Sequence, residues 1–470
     1  MNIRFRWVFC QLDVLRHCFP LNIPRVLSEL PASLDETYER VLTEIGTANR
    51  HHAYRLLQSL AVAIRPLRVE ELAEILALDF DDAKDGIPQL KEDWRWQDQQ
   101  DAVLSTCSSL ITVVDRVVQF SHFSVKEFLT SDRLATSSKE VSRFRILPWP
   151  SHTVFAKACL GILLQSDNYV DDVKARSSSL FEYAAQHWVD HAQFEDVSTR
   201  IEDGMQRLFD PTTPYFEEWV KLVYIDEGWK TFAGLGDERR GSPLYYSSLC
   251  GFHTLTAQLV TKHPMDVNAT LGRCLSPLVA ALHKRHFSVA ELLIQHGAEV
   301  DITGYRNRTP LLAASMDGFI DIVEWLLDHG ANAMPQQDDG ETPLHLAARN
   351  GQSQIMRMLL EHDVSINAKN KLNRTPLHVA SEDGQVDIVR LLLEHGAEIS
   401  SQDLSHCTPL ILASRSFNRS PQSFDTVRLL IEYGADVGAQ DGSQKNPLHL
   451  ASYQVNAQIV RQLDLAGLMV

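Results

Sequence analysis

The chain has 470 residues, of which 44% are hydrophobic and 22% are charged, values that are ordinary for folded globular proteins. At roughly 150 residues per domain, this length predicts about three domains with sizeable cores. The 44 basic residues are outnumbered by 61 acidic ones, and the net charge of −17 argues against a nucleic-acid-binding protein, which needs clustered lysine and arginine.

Cysteine spacing and hydropathy predict the compartment. The seven cysteines are scattered and form no CxxC pair, which is typical of neither a disulfide framework nor a zinc site. The longest near-apolar stretch, residues 154–164, contains Lys157 and is too short to cross a bilayer, which takes about 20 residues. We therefore expect a soluble, cytoplasmic chain without a membrane span.

Residues 1–235 show no repeat, and their apolar spacing predicts mainly helices. Ser33 is a good N-cap for the first of them, because Asp35 and Glu36 then occupy its positive first turn. Further helices are predicted over residues 53–64, 69–76, 122–129 and 181–188. Residues 110–120 form two apolar runs around a two-residue turn and predict a β-hairpin. Helices with one small hairpin are typical of a winged helix.

A repeat occupies the second half of the chain. Its units open with proline–leucine pairs that are mostly 33 residues apart, at Pro243, Pro277, Pro310, Pro343, Pro376, Pro409 and Pro447. In the fourth unit, Thr342 is a good N-cap, Pro343 suits the first helical position and Gly351 ends the helix. No unit can bury its apolar face alone, so the units should stack into a solenoid.

These units resemble the ankyrin repeat, whose signature contains TPLH, paired alanines and a terminal Gly-Ala. Residues 342–345 and 375–378 carry TPLH in full, whereas Arg285 stands at a glycine position and residues 414–425 hold an insertion. The last unit ends in the apolar residues 463–470, so either the C-terminus packs back on something or the array continues. The resemblance implies that the TPLH histidines hydrogen-bond between neighbouring loops (His345, His378 and His449).

Several strings before the repeats resemble parts of a second family, in its order. Residues 5–15 resemble the closing helix of a NACHT-type nucleotide-binding module, and residues 30–42 the connector after it. Residues 65–72 and 120–129 resemble the winged-helix domain named after GPI inositol-deacylase. With the repeats, the chain is similar to the fungal NACHT–ankyrin (nephrocystin-3-like) proteins of the STAND class.

This resemblance implies a mainly α chain, in which a winged-helix and helical domain precede an ankyrin-repeat α-solenoid. Its expected segments are a remnant of the NACHT closing helix (1–20), a helical connector (21–52), the winged helix (53–135), a helical domain with a linker (136–236) and about seven ankyrin repeats (237–470).

Motifs for catalysis or metal binding fail on inspection. A complete family member would carry a P-loop, GxxxxGK[ST], and the 470 residues contain none. Gly236 and Gly241 have the spacing of the two P-loop glycines, but serine follows Gly241 where the motif needs lysine, which indicates a linker. His187 and His191 have the spacing of a zinc pair, but Trp188 stands where HExxH needs glutamate, which favours a helix with two partly buried histidines. We predict no catalytic, metal-binding or cofactor-binding residues.

Residues 81–92 partly match an EF-hand loop, with Asp81, Gly86 and Glu92 at the right positions. Ala83 and Pro88 break the pattern, which indicates an acidic surface loop instead.

Partner-binding residues are expected at two kinds of position in the repeats. Hairpin tips and first-helix ends line the concave face, and the stack does not fix them. Their mixture of charged and apolar side chains suits a protein partner better than a small ligand. The candidate tip residues are Tyr305, Arg306, Asp338, Asp339, Lys371, Leu372, Leu404 and His406. The candidate helix-end residues are Met316, Asp317, Arg349, Asn350, Glu382 and Asp383.

The sequence therefore predicts a non-enzymatic interaction protein, a regulatory scaffold in signal transduction. The resemblance implies that the winged-helix and helical domains relay or restrain signalling. The alternative is a fragment of a STAND nucleotide-dependent switch, an NLR-like receptor, whose P-loop module lies upstream. A winged helix can also read DNA, but its wing carries only Asp115 and Arg116, so no nucleic-acid partner is expected. The apolar segment around Phe5 and Trp7 would allow self-association.

Overall fold

The structure is a computed structural model that describes residues 33–84, 86–165, 178–222, 241–270, 275–415, 423–453, 459–461 and 463–464. It divides into two compact units, Met1–Ile225 and Asp226–Val470. Both are mainly helical, which confirms the predicted fold class. The predicted NACHT remnant at 1–20, the linker around Gly236 and most of the insertion lie outside the described residues.

The first unit contains ten of the described helices and five strands. Its helices are α1 (Leu34–Glu44), α2 (Arg50–Val62), α3 (Val69–Leu76), α4 (Gln99–Cys107), α5 (Phe123–Thr130), α6 (Pro148–Leu163), α7 (Phe181–Ala192), α8 (Val197–Arg200), α9 (Glu202–Leu208) and α10 (Tyr215–Leu222). Its strands are β1 (Leu67–Arg68), β2 (Leu78–Lys84), β3 (Ile87–Leu90), β4 (Ile111–Val114) and β5 (Val117–Phe120).

The winged-helix fold follows from local signals. The Ser33 hydroxyl accepts a hydrogen bond from the Glu36 amide (3.1 Å) and caps α1, as predicted. The predicted hairpin is β4–β5, and β1 pairs with β5 to give an antiparallel sheet of order β1-β5-β4. Glu71 at the start of α3 accepts from both the Arg65 guanidinium (2.6 and 2.9 Å) and the Arg68 amide (2.8 Å), which fixes the approach of the chain to this helix.

A second hairpin, β2–β3, replaces the acidic surface loop that the sequence predicted for residues 81–92. Leu78 pairs with Leu90 and Gly86 turns the chain at a φ of +71°. Acidic residues have a low strand propensity, which concealed β2. The hairpin is held by packing on helices, since a Cβ on Gly161 would lie 2.4 Å from the Pro88 carbonyl oxygen and one on Gly204 would lie 2.6 Å from the Ile87 side chain.

Aromatic side chains fill the core of the helical layer beside this fold. Trp188 and Trp219 are almost fully buried with ring centroids 5.5 Å apart, and Phe209 lies 5.4 Å from Trp219. The Trp219 indole donates to the Ala185 carbonyl oxygen at 3.0 Å. Such rings each bury a large apolar area, so this cluster holds α7, α9 and α10 together.

The second unit is a stack of helix pairs. The described helices are α11 (Pro243–Leu249), α12 (His253–Lys262), α13 (Pro277–His283), α14 (Phe287–Gln295), α15 (Pro310–Asp317), α16 (Ile320–Asp328), α17 (Pro343–Arg349), α18 (Ser353–Leu360), α19 (Pro376–Glu382), α20 (Val386–Glu394), α21 (Pro409–Arg415), α22 (Ser423–Glu432) and α23 (Pro447–Tyr453). Every first helix begins at the proline of its unit. This agrees with the expectation that proline suits the first helical position.

Short 3₁₀ helices connect the elements of both units. They span Glu92–Trp94, Ser108–Leu110, Asp132–Thr136, Ser142–Phe144, Pro264–Asp266 and Tyr305–Asn307.

Two of the three TPLH histidines, His345 and His378, join neighbouring repeats, as the resemblance implied for them. His345 Nε2 lies 2.9 Å from the Arg374 carbonyl oxygen, and His378 Nε2 lies 3.1 Å from that of Cys407. In both rings Nδ1 accepts from the N-cap threonine amide, so Nε2 carries the proton and donates. His449 is exposed, and its Nδ1 accepts from the Asn446 amide at 3.3 Å.

Arg285 occupies a glycine position with glycine's backbone conformation, at a φ of 61°. Its guanidinium hydrogen-bonds Asp321 (2.6 Å) and lies over the Phe319 ring. A left-handed residue with a side chain costs about 1–2 kcal/mol, whereas an exposed ion pair and cation–π contact each contribute up to about 1 kcal/mol.

We expect Arg285→Gly to change the unfolding free energy by less than about 1 kcal/mol, and Arg285→Ala to be about 1–2 kcal/mol less stable than Arg285→Gly. Urea titrations of the wild type and the two variants check this order of stabilities. Equal unfolding midpoints for Arg285→Gly and Arg285→Ala would contradict it.

Candidate partner-binding surface

The candidate tip residues lie on four successive turns that are joined by backbone hydrogen bonds. The donors and acceptors are Asp338 N to Arg306 O (3.0 Å), Lys371 N to Asp339 O (2.9 Å), Leu404 N to Leu372 O (3.0 Å) and Gly442 N to Ser405 O (2.8 Å). The expectation that the stack does not fix the tips is therefore wrong for the backbone. Sequence inspection missed this ladder because main-chain pairing leaves no residue signature at the positions that pair.

Three of these four turns are also stabilised from within by a side chain. The Asp339 carboxylate accepts from the Glu341 amide (3.1 Å), the Asn370 side-chain oxygen from the Leu372 amide (2.9 Å) and the Asp403 carboxylate from the Ser405 amide (2.8 Å). Asx turns of this kind mimic a backbone turn. Of the candidates, Asp339 therefore has a role in folding the tip that bears it.

His406 also has a place in the turn itself. It stands in the left-handed region with a φ of 58°, at the position that Asn307, Gly340 and Asn373 occupy in the preceding tips. Its ring is exposed, with Nδ1 3.4 Å from the Gln402 side-chain oxygen. Polar histidine tolerates this backbone region better than a branched residue does.

The remaining tip side chains face water. Tyr305, Leu372 and Leu404 are 56%, 53% and 62% exposed, which is unusual for large apolar residues that a fold could bury. The Arg306 guanidinium lies 5.5 Å from the centre of the Tyr305 ring, and Asp338 and Lys371 are exposed. Because the ladder links consecutive tips, these side chains form one row, which we call the tip row (Tyr305, Arg306, Asp338, Lys371, Leu372 and Leu404).

Two of the charged candidates at the helix ends, Arg349 and Glu382, form ion pairs within the array. Arg349 forms a forked ion pair with the buried carboxylate of Glu341, with Nη1 at 2.7 Å from Oε2. Glu382 receives the Arg374 guanidinium at 2.6 Å and lies 3.6 Å from that of Arg415 in the next unit. These charges stabilise the stack, and a partner that recruits them must first break an existing pair.

The other helix-end candidates lie beside this network. Asn350 is exposed and its side-chain amide donates to the Met316 carbonyl oxygen at 3.0 Å, across one repeat. Met316, Asp317 and Asp383 are half-buried. The structure thus gathers the tip candidates on one ladder and places the helix-end candidates among contacts that link the repeats.

Buried histidines in both units are neutral at pH 7. Burial lowers the pKa of His378 to about 4, against the smaller upward effect of its bond to the Cys407 carbonyl oxygen. Burial also lowers the pKa of His345. In the first unit His191 is fully buried and His187 half-buried, so the interpretation of two partly buried histidines on one helix is wrong for His191.

The described residues contain no group of three or more His, Cys, Asp and Glu side chains arranged to hold a metal ion. Ser124 lies 2.6 Å from His122 Nδ1, but it is buried and its own amide also donates to that nitrogen, which caps α5. Of the helices that the structure describes, none has the length and apolar character to cross a bilayer.

Comparison with known proteins identifies both parts of the chain. Ankyrin repeats match in overlapping sets that cover residues 244–441, and the winged helix domain of GPI inositol-deacylase matches residues 38–140. The chain therefore contains a winged-helix domain of this type followed by ankyrin repeats, as predicted. No catalytic family is indicated, and ankyrin repeats are typically interaction modules.

Two fungal proteins are similar to the chain over part of its length. It is 31% identical over 286 residues to the azaphilone pigments biosynthesis cluster protein L of Monascus ruber, which covers 56% of this chain and 59% of that protein. It is 25% identical over 214 residues to the vegetative incompatibility protein HET-E-1 of Podospora anserina, which covers 40% of this chain and 15% of that protein. The second similarity supports the resemblance to NACHT–ankyrin proteins.

Proposed function

We propose that this protein is a non-enzymatic regulatory scaffold whose ankyrin repeats bind a protein partner through the tip row. The observation that carries the proposal is a rigid backbone ladder that presents three largely exposed apolar side chains, Tyr305, Leu372 and Leu404. Preformed surfaces bind with a smaller entropic cost than mobile loops do. Aromatic and aliphatic anchors with charged neighbours are typical of protein interfaces.

The tip row and the helix ends should contribute unequally to binding. Burial of Leu372 or Leu404 removes apolar area from water and breaks no contact, which is favourable by about 25 cal/mol per Å². Recruitment of Arg349 or Glu382 would instead break an ion pair in which one carboxylate is nearly buried. We therefore assign the anchoring role to the apolar tip residues and a secondary role to the helix ends.

A double substitution in the tip row tests this assignment. Leu372→Ser with Leu404→Ser is expected to weaken partner binding by about 30- to 1,000-fold, because each lost anchor removes about 1–2 kcal/mol at an interface. Affinity purification from a fungal extract, with quantitative mass spectrometry, identifies proteins that the wild-type chain captures and this variant does not. Binding constants for the purified partner then give the fold-change.

Met265→Ser provides the matched control, since Met265 is 89% exposed but lies in the first repeat outside the tip row. This variant should bind as the wild type does. Equal loss in both variants would show general stickiness of exposed apolar residues, and no loss in the tip variant would exclude the tip row.

The similarity to HET-E-1 favours a second candidate function, in which these residues are the regulatory and sensor part of a STAND nucleotide-dependent switch. The winged-helix unit would then relay or restrain signalling. The gene sequence upstream of the Met1 codon tests this candidate. An in-frame GxxxxGK[ST] motif would support the switch, and absence of the motif from the transcript would favour the regulatory scaffold instead. The 470 residues themselves should show no ATP binding under either candidate.

A further inference from the structure

A buried chain of hydrogen bonds links the winged-helix fold to the helical layer of the first unit. The Ile64 amide, between α2 and β1, donates to the Tyr183 hydroxyl at 3.0 Å. That hydroxyl lies 3.0 Å from His191 Nε2, and His191 Nδ1 lies 2.8 Å from His152 Nδ1. Three side chains on α6 and α7 thus connect to a backbone amide of the winged helix.

The middle of this chain is closed to solvent. Tyr183 and His191 are both 0% exposed. The Phe155 ring lies 5.2 Å from the Tyr183 ring and 4.7 Å from that of His191. The outer member, His152, is half-buried and stacks on Phe194 at 4.2 Å. A proton can therefore enter from water only at the His152 end.

The donors along the chain all point one way when both histidines are neutral. The Tyr183 oxygen accepts from Ile64, so its own proton is available for His191 Nε2. His191 must then carry its proton on Nδ1 and donate it to His152 Nδ1. That nitrogen holds the remaining lone pair of the neutral His152 ring, because a neutral imidazole has one donor and one acceptor. The Tyr183 hydroxyl and both ring nitrogens of His191 are satisfied in this arrangement.

One added proton disrupts this order. It must go to His152 Nδ1, where it faces the proton of His191 Nδ1. Relief requires the His191 proton to move to Nε2, which then donates to Tyr183 beside Ile64 and fills the second lone pair of the hydroxyl oxygen. The Tyr183 proton is left pointing into apolar surroundings, and the contacts described around this side chain supply no further acceptor. An unsatisfied buried polar group costs about 1–3 kcal/mol, so protonation favours release of the segment, which admits water to the hydroxyl.

We propose that the chain His152–His191–Tyr183 is a proton-sensitive latch that fastens the segment at Ile64 to α7 and releases it when His152 is protonated. The released segment leads directly into β1 and α3, so loss of the latch loosens the winged helix from the helical layer. The latch is a property of the first unit and is independent of the proposed binding function of the repeats.

Burial keeps the latch neutral at pH 7. Burial lowers the pKa of His191 to about 3, with smaller effects from His152 and His187, and burial also lowers that of His152. The titratable and charged groups that face it are His187 and Asp190 on α7, Cys159 on α6, and Arg65 with its partner Glu71 from the winged helix. Burial raises the pKa of Tyr183, and the positive charge of Arg65, 4.8 Å from the centre of the Tyr183 ring, opposes this rise.

Hydrogen exchange of the Ile64 amide in the full chain tests the latch. In the wild type, protection of this amide is expected to fall about tenfold for each pH unit below the pKa of His152, after correction for intrinsic exchange between pH 7.5 and 4.5. His152→Asn places an amide oxygen where Nδ1 accepts and cannot bind a proton. This variant should keep wild-type protection at pH 7.5 and lose the acid response.

Two further variants make the result decisive. His187→Asn, a neighbouring histidine on the same helix, should retain the acid response of the wild type. Tyr183→Phe removes the acceptor, so Ile64 should exchange fast at every pH while amides of the ankyrin unit keep their protection. An acid response that persists in His152→Asn, or an Ile64 amide that stays protected at pH 4.5 in the wild type, would overturn the proposal.

Discussion

Replacement of Gly340 by alanine is expected to destabilise the ankyrin unit by about 2–4 kcal/mol, because two effects add. The residue has a φ of +78°, which costs a side chain about 1–2 kcal/mol. A Cβ here would also lie 2.9 Å from the Lys371 amide nitrogen and 3.2 Å from Asn370 Cα. These are backbone atoms of the next tip, so relief of the contact must strain the ladder bond from Lys371 to Asp339.

Gly330→Ala is the matched control for this substitution. Gly330 has almost the same φ, +80°, but a Cβ there would meet no atom within 4 Å. It should therefore cost about 1–2 kcal/mol, the conformational part alone. Urea unfolding of the full chain is followed by pulsed hydrogen exchange on peptides from residues 310–410. It measures the loss of unfolding free energy in each variant and so separates the steric cost at Gly340 from the conformational cost that both glycines share. Equal losses would show that the tip ladder contributes nothing to stability.

Mild acid is expected to destabilise the repeats through their TPLH histidines. The pKa of His378 is about 4 in the folded chain against about 6.5 when unfolded, so below pH 6.5 the unfolded chain binds more protons. The stabilisation is complete above pH 6.5 and is lost as the pH falls towards 4. Between pH 7.5 and 5.0, His378 alone should account for about 2 kcal/mol, and the lowered pKa of His345 adds a loss in the same direction.

His378→Asn distinguishes this effect from general acid sensitivity. Asparagine can still accept from the Thr375 amide but cannot reach the Cys407 carbonyl oxygen, so this variant should be about 1–3 kcal/mol less stable at pH 7.5. It should then lose less stability than the wild type between pH 7.5 and 5.0. His362→Asn, at an exposed histidine, should match the wild type throughout. If the unfolding free energy fell equally with pH in the wild type and in His378→Asn, His378 would be excluded as the source of the acid sensitivity.

The contrast between tips and helix ends has a consequence for partner specificity. Arg374 bridges Glu382 and Asp403, and Glu382 also approaches Arg415, so opposite charges alternate from one repeat to the next. A network of this kind presents little net charge to a partner. Discrimination is therefore expected to come from the shape and apolar pattern of the tip row, with Tyr305 and Leu404 at its two ends.

The sequence alone determined the local elements of this protein. Ser33, the unit prolines and the threonine N-caps mark helix starts by side-chain chemistry that acts within one turn, and all are observed where they were predicted. The 33-residue period determined the solenoid, because stacking is the only way such units bury their apolar faces. Exposed tip positions also followed from the period, since register fixes which residues lie at the turns.

Only the tertiary structure decided the features that depend on distant neighbours. The β2–β3 hairpin exists because Gly161 and Gly204 leave room for Pro88 and Ile87, which residue types near the hairpin do not encode. Glu382 looked like a free surface charge until the stack brought Arg415 of the next repeat beside it, and His191 looked half-exposed until His152 of α6 closed over it. In each case the deciding energy is a contact between elements, and its partners become known only when the helices are packed.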